Sequence, residues 1–291
     1  QTCALPIDRS VAAADRVREL VEAGAPASPR LGAADPRIIS ECFRAQSLWA
    51  LGHVDQARAT SDGLLTLARS LGDPYSLAYV LNFAALQVPD FCGEDGLVLE
   101  RTDEGIALAR EVGYPFLEMF GVMARAWVEG RSGDPKAALL KFDAALQRVN
   151  AMGVGYSRGR NLARRARMLM RCGDMAAAEL SIAQALGQEE RAGSQHLTPD
   201  VLLAEGELML AEGGERPVLA AAAFRTAFEQ ARSQGALSWQ LRAATALARL
   251  TAVTDGPAAA VPLLEPVLAR FTEGHDTADL KQAAALLAEW R

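Results

Sequence analysis

Between residues 158 and 171 the sequence carries six arginines, Arg158, Arg160, Arg164, Arg165, Arg167 and Arg171, with no acidic residue before Asp174. Guanidinium groups grip carboxylates and phosphates in a two-pronged geometry, so the cluster could hold an anionic ligand or partner segment. Spacings of four, three and four place Arg160, Arg164, Arg167 and Arg171 on one face of a helix. Like charges so spaced repel by roughly 0.2 to 0.5 kcal/mol per pair, a cost that calls for compensation.

Other chemistries find little support. A phosphate-cradling P-loop needs a Gly-Lys pair, and the chain contains none. His53, His196 and His275 are far apart, with no HExxH or Cys-His ligand spacing, so each reads as a turn or surface residue. No GxSxG nucleophile elbow occurs. Glu189-Glu190 reads as a solvated helix end, and Gly153-Val154-Gly155 as a turn between helices. The expectation is no catalytic residue, no cofactor and no metal.

The elements that position the arginines are announced by glycine. One series runs Gly52, Gly93, Gly133, Gly173, Gly214, Gly256, and a second runs Gly32, Gly72, Gly113, Gly153, Gly193, Gly235, Gly274. Successive members of either series are about 40 residues apart, the mark of a structural repeat. Segments of about twenty residues between glycines suit one helix and one turn, each glycine closing its helix in the left-handed conformation. Asp73-Pro74, Asp134-Pro135, Thr198-Pro199 and Gly256-Pro257 add helix-start chemistry. In the helix beginning at Lys136, Ala138, Phe142, Ala145, Leu146 and Val149 share one face, opposite Lys141, Asp143 and Arg148. Period-two alternation is missing, so no sheet is expected.

From Gly133 and Gly173, alanines follow at four, five and twelve residues and a large apolar residue, Phe142 or Ile182, at nine. That pattern follows tetratricopeptide logic at a longer period. The expected fold is all-α, a tetratricopeptide-like α-solenoid of about seven helical hairpins with a repeat of about 40 residues, running from 8 to 291 as a single array. Its first pair falls near 8–23 and 36–51. Counting seven and fourteen residues from the second glycine series gives Tyr79 and Leu86, Phe120 and Trp127, Arg160 and Arg167, Asp200 and Glu207, then Arg242 and Arg249. By analogy with tetratricopeptide arrays this stripe lines the concave face. Two readings stay open: a ladder in which Asp200 and Glu207 neutralise neighbouring arginines, or a groove for an anionic or amphipathic partner segment. The candidate groove comprises these residues (Leu86 aside) together with Arg164 and Arg171.

The stretches 71–85, Gly113-Tyr-Pro-Phe116, 203–208 and 222–250, and the ending Phe271-Thr-Glu-Gly274, resemble the C-terminal region of bacterial predicted ATPases of the signal-transduction class. In these multidomain regulators an ATPase core, and an adenylate/guanylate-cyclase-like or winged-helix domain, precede a tetratricopeptide-like array. The resemblance covers 8–291. It implies a non-enzymatic protein-interaction and regulatory module, whose partner is a protein or peptide segment, the ATPase domain of the parent chain being one such candidate. The alternative is a small-molecule sensor of the kind found in sugar-responsive activators.

The first seven residues, Gln1-Thr2-Cys3-Ala4-Leu5-Pro6-Ile7, resemble the translation of a sequencing-adaptor end; they are expected to be unstructured, and the chain to be a fragment. A net charge of −6 gives no global field for nucleic acid or an anionic membrane, and neither is expected as a partner. Cys42, Cys92 and Cys172 lack CxxC spacing and read as reduced, buried thiols of a cytoplasmic protein.

Overall fold

The computed structural model describes residues 7–23, 35–155, 157–192, 197–213 and 216–291. Among them every regular element is helical and no strand occurs, as expected from the 3.6-residue periodicity. The elements are α1 (Ile7–Glu22), α2 (Pro36–Leu51), α3 (Val54–Leu71), α4 (Pro74–Tyr79), a π-helical turn (Val80–Ala84), α5 (Ala85–Cys92), α6 (Asp95–Glu111), α7 (Pro115–Ser132), α8 (Pro135–Ala151), α9 (Arg158–Arg171), α10 (Met175–Ala192), α11 (Thr198–Glu212), α12 (Pro217–Ser233), α13 (Leu237–Thr254), α14 (Pro257–Leu268) and α15 (Ala278–Trp290). Consecutive helices pack as adjacent pairs, consistent with an all-α solenoid.

Most of the glycine punctuation is where the spacing puts it. Gly52, Gly72, Gly93, Gly113, Gly153, Gly173, Gly235, Gly256 and Gly274 all have positive φ, a region that a Cβ would make costly. Two positions depart from the series. Gly133 ends α7 at φ −125° and ψ −140°, outside the left-handed region of the others. After α11 the left-handed residue is Gly213 rather than its neighbour Gly214, which lies outside the described residues, as do Gly32 and Gly193.

Helix starts divide the same way. The Asp73 carboxylate accepts from the Tyr75 and Ser76 amides, and the Asp134 carboxylate from those of Lys136 and Ala137, each with proline at the first helical position. Thr198 does not cap α11: it lies inside the helix, and its hydroxyl donates to Glu189 instead. Residues 1–6 fall outside the described residues, but Ile7 opens α1 and is buried, which corrects its assignment to the unstructured segment. No described helix is long and apolar enough to cross a membrane.

The described chain divides into two compact units: a C-terminal unit, Ala50–Gly52 with Gly155–Arg291, and an N-terminal unit of 7–49 with His53–Val154. In the C-terminal unit α9 packs on α11, α11 on α13 and α13 on α15, so these alternate helices form one layer while α10, α12 and α14 form the other. Its core joins Leu237, Leu241, Ala244 and Ala248 of α13 to Leu264 of α14 and Leu280, Ala283 and Leu287 of α15. The alanines among these leucines let helix axes approach closely.

In the N-terminal unit the central feature is the π-helical turn. Its Asn82 is fully buried, and the Nδ2 amide donates to the Ala78 carbonyl. A Cβ added at Gly121 would stand 2.1 Å from Asn82 Oδ1, and one at Gly105 2.7 Å from the same atom. Glycine is therefore required on both facing helices, α6 and α7, for steric rather than conformational reasons.

Candidate functional site

In the C-terminal unit the arginine stripe is an ion-paired ladder. Arg167 on α9 donates from Nε to Glu207 Oε2 at 2.7 Å, from Nη1 to Asp200 Oδ1 at 2.8 Å and from Nη2 to the Asp200 carbonyl at 3.2 Å. Both acceptors lie on α11, the next helix of the same layer, so the counted register is the contact register. Asp200 is buried and Arg167 nearly so, with side-chain exposures of 9% and 17%, whereas Glu207 is 43% exposed. The two ion pairs of Arg167 are consequently unequal. The pair with Asp200 is shielded from water; that with Glu207 is screened by it.

Electrostatics follow from this burial. Burial of Arg167 works to lower its pKa, but Asp200 and Glu207 outweigh it and raise the pKa, so the guanidinium stays charged. Burial likewise works to raise the pKa of Asp200, and the positive charges of Arg167, Arg160 and Arg242 overcome it, leaving the carboxyl below its usual range. Arg242 on α13 donates from Nε to Asp279 Oδ2 of α15 at 2.7 Å and stacks over the Trp239 ring at 5.0 Å. Arg270 Nη1 donates to Gln240 Oε1 at 2.7 Å. The ladder thus continues across the layer with acceptors that the glycine count does not reach.

Of the four arginines counted onto the stripe, Arg160 is buried, Arg167 and Arg242 are ion-paired, and Arg249 is exposed. Arg164 is buried as well, and Arg171 is exposed at the end of α9. A groove holding an anion through this stripe needs at least two accessible, unpaired guanidinium groups among the four, and the geometry does not supply them. The arginine face of α9 is a gradient from buried to open, because its N-terminal half lies deeper than its C-terminal half.

Glu189 overturns one expectation. It is buried rather than solvated, and accepts from the Thr198 hydroxyl at 3.2 Å. A Cβ at Gly159 would stand 2.2 Å from Glu189 Oε1, so the carboxylate lies against the first turn of α9, where a helix favours negative charge. Burial raises the Glu189 pKa first of all; Asp200 adds to the rise, and Thr198 opposes it.

The aromatic rungs belong to the N-terminal unit and are packing residues. Phe120 is buried, and its ring meets Phe83 at 5.3 Å and Phe116 at 4.8 Å. Tyr79 is half-buried between Tyr75 and Phe83, and Tyr75 meets Tyr114 edge-on at 4.5 Å. Trp127 packs with Leu86, Val98 and Ala124 under the Arg131 guanidinium. Phe120 is therefore unavailable as an accessible anchor, while Trp127 keeps an exposed part.

His53 and His275 are exposed turn residues, His196 lies outside the described residues, and no group of three His, Cys, Asp or Glu suited to a metal occurs among the described residues. Cys42 and Cys92 are buried free thiols, and burial pushes the Cys42 pKa up to about 12; Cys172, at the end of α9, is only half-buried, contrary to expectation. Sequence reasoning missed Asp279 and Gln240 as partners. Neither falls on a counted rung, so no periodic signal marked them.

In comparisons with known proteins, the chain matches no protein-family model and no curated protein.

Proposed function

We propose that this chain is a non-enzymatic protein-interaction and regulatory module, the C-terminal part of a larger bacterial signalling ATPase or cyclase-like regulator acting in the cytoplasm. The observation that carries the reading is the use of charge in the C-terminal unit. Charged side chains there pair between helices of one layer, Arg167 of α9 with Asp200 and Glu207 of α11 and Arg242 of α13 with Asp279 of α15, as in a stiff scaffold. The resemblance of 8–291 to the arrays of such regulators supplies the cellular setting.

The exposed charges at the open end of the layer are Arg171 and Arg249, with Glu207 partly exposed, and these face a partner. A partner segment reading them carries mixed charge with acidic positions. The test is affinity capture with the whole chain as bait, followed by titration of the purified partner against Arg171→Glu/Arg249→Glu. Binding that weakens at least tenfold, salt-dependently and at an unchanged melting temperature, supports the reading. Affinity indifferent to both reversals overturns it, as does saturable ATP binding near millimolar or tighter.

A further inference from the structure

The helical stretch from Pro74 to Cys92 is the one that the π-helical turn interrupts, and it is a residue longer than two of its counterparts. Gly72 and Gly93, which flank it, are 21 residues apart, against 20 from Gly113 to Gly133 around α7 and from Gly153 to Gly173 around α9. A π turn bonds i to i+5 and so takes one residue more than an α turn, which lets the stretch house an added residue. Length alone does not make such a turn. Gly235 and Gly256 are also 21 residues apart, and α13 between them is α-helical throughout.

What distinguishes the interrupted stretch is Asn82, at the middle of the turn and fully buried where α3, α6 and α7 pack against it. Its Nδ2 donates to the Ala78 carbonyl at 3.0 Å. In an α-helix that carbonyl accepts from the backbone N–H of residue 82 itself, so the side chain competes with the ladder and lets the backbone bonding slip by one residue. Because the nitrogen faces this acceptor, the oxygen is turned toward α6 and α7. Among the described residues Oδ1 has no hydrogen-bond partner, and the α-hydrogens of Gly105 and Gly121 lie against the amide as weak donors. A leucine of the same shape would fill this space without burying a poorly satisfied acceptor.

The two glycines are the second observation. Both sit inside helices, where glycine is a poorer helix former than alanine, and neither has a left-handed φ. At Gly105 the three atoms that a Cβ would meet first all belong to the Asn82 amide, at 2.7 to 2.8 Å. The opening in α6 is therefore fitted to this one side chain.

We infer that Asn82 is a conformational latch: an inserted residue whose amide nitrogen holds the π register and whose oxygen end seats in a slot through α6 and α7, so that these helices close on α4 and α5 in one register only. The latch also presents the next residue, Phe83, to Phe120, the neighbour of Gly121 on α7. Thermal unfolding and crystal structures of variants of the whole chain test it. Gly105→Ala should lower the melting temperature by at least about 4 °C. The same change made together with Asn82→Ala should leave the melting temperature of Asn82→Ala unchanged or raise it, since the obstacle is gone and alanine suits the helix better. Deleting Asn82 should give a folded chain with a continuous α-helix from Pro74 to Cys92. Pro89 is the other feature able to widen the helix, because its ring crowds the carbonyl four residues back, at Ala85. Pro89→Ala should nevertheless keep the π turn. A Gly105→Ala penalty equal in both backgrounds, a deletion chain that fails to fold or retains a π turn, or a Pro89→Ala structure without one overturns the latch.

Discussion

The two units solve the same packing problem with different chemistry. In the N-terminal unit, the helices around the π-helical turn are joined by rings: Tyr75, Tyr79, Phe83, Phe116 and Phe120 form a continuous run, and Trp49 stacks on Phe91 at 4.2 Å. In the C-terminal unit, the equivalent rungs are Arg167 against Asp200 and Glu207, then Arg242 against Asp279. Rings gain from burial with little dependence on pH or salt. Ion pairs lose hydration as they gain attraction, so their net contribution depends on exposure and on every partner being present. Equal positions in a repeat therefore impose geometry without imposing chemistry.

The largest expected effect is in the rings. Phe83 is 3% exposed and touches both Tyr79 and Phe120, so Phe83→Ala should destabilise the chain by about 3 to 5 kcal/mol, as measured by urea unfolding. A loss below about 1 kcal/mol would mean that the ring run does not hold the unit.

Next comes the ladder. Asp200→Ala leaves the Arg167 guanidinium with only its half-exposed partner Glu207, and should cost about 3 kcal/mol, near the lower end for a broken buried pair. Replacing both partners, as Arg167→Met/Asp200→Leu, should recover most of that loss. If the double variant is no more stable than Asp200→Ala, the pair contributes attraction beyond its own desolvation.

A smaller effect, with a definite sign, concerns pH. The folded chain raises the Glu189 pKa, so the native state holds that proton more tightly than the unfolded state does. The contribution of Glu189 favours folding in acid and is lost as pH rises through the raised value. Glu189→Gln should therefore gain stability relative to the unaltered chain as pH rises from the ordinary glutamate range through the raised value, followed by urea melts. Asp200, shifted the other way, loses its contribution as pH falls through its lowered value, so Asp200→Asn should flatten the acid limb of the same curve. A relative stability of Glu189→Gln that falls with pH would contradict the burial of that carboxyl.

The smallest effect separates the two bonds of one guanidinium. A double-mutant cycle between Arg167 and Glu207 should give a coupling of about 0 to 1 kcal/mol that fades in salt, because Glu207 is 43% exposed. The cycle between Arg167 and Asp200 should be larger and persist in salt. Equal couplings would remove the distinction between screened and shielded rungs.

Much of the architecture was legible before any coordinates. Helix class follows from periodicity, turn positions from glycines that take positive φ without steric cost, and starts at Pro74 and Pro135 from Asp-Pro pairs, all local properties of a few consecutive residues. Counting from those turns put Asp200 and Glu207 one repeat from Arg160 and Arg167, because a regular repeat turns sequence distance into spatial distance, but left open which arginine pairs and whether the stripe pairs at all. What the count could not give was depth. Glu189 read as a solvated charge because its own neighbours in sequence are polar, and Arg164 as a groove residue from its place on the arginine face; only the approach of Gly159 and of other helices decides that they are buried. The same holds for Asn82 between Gly105 and Gly121 and for Asp279 paired with Arg242. Local rules act through the backbone over about one turn, whereas burial and pairing depend on which helices come together, and tertiary structure alone decides that.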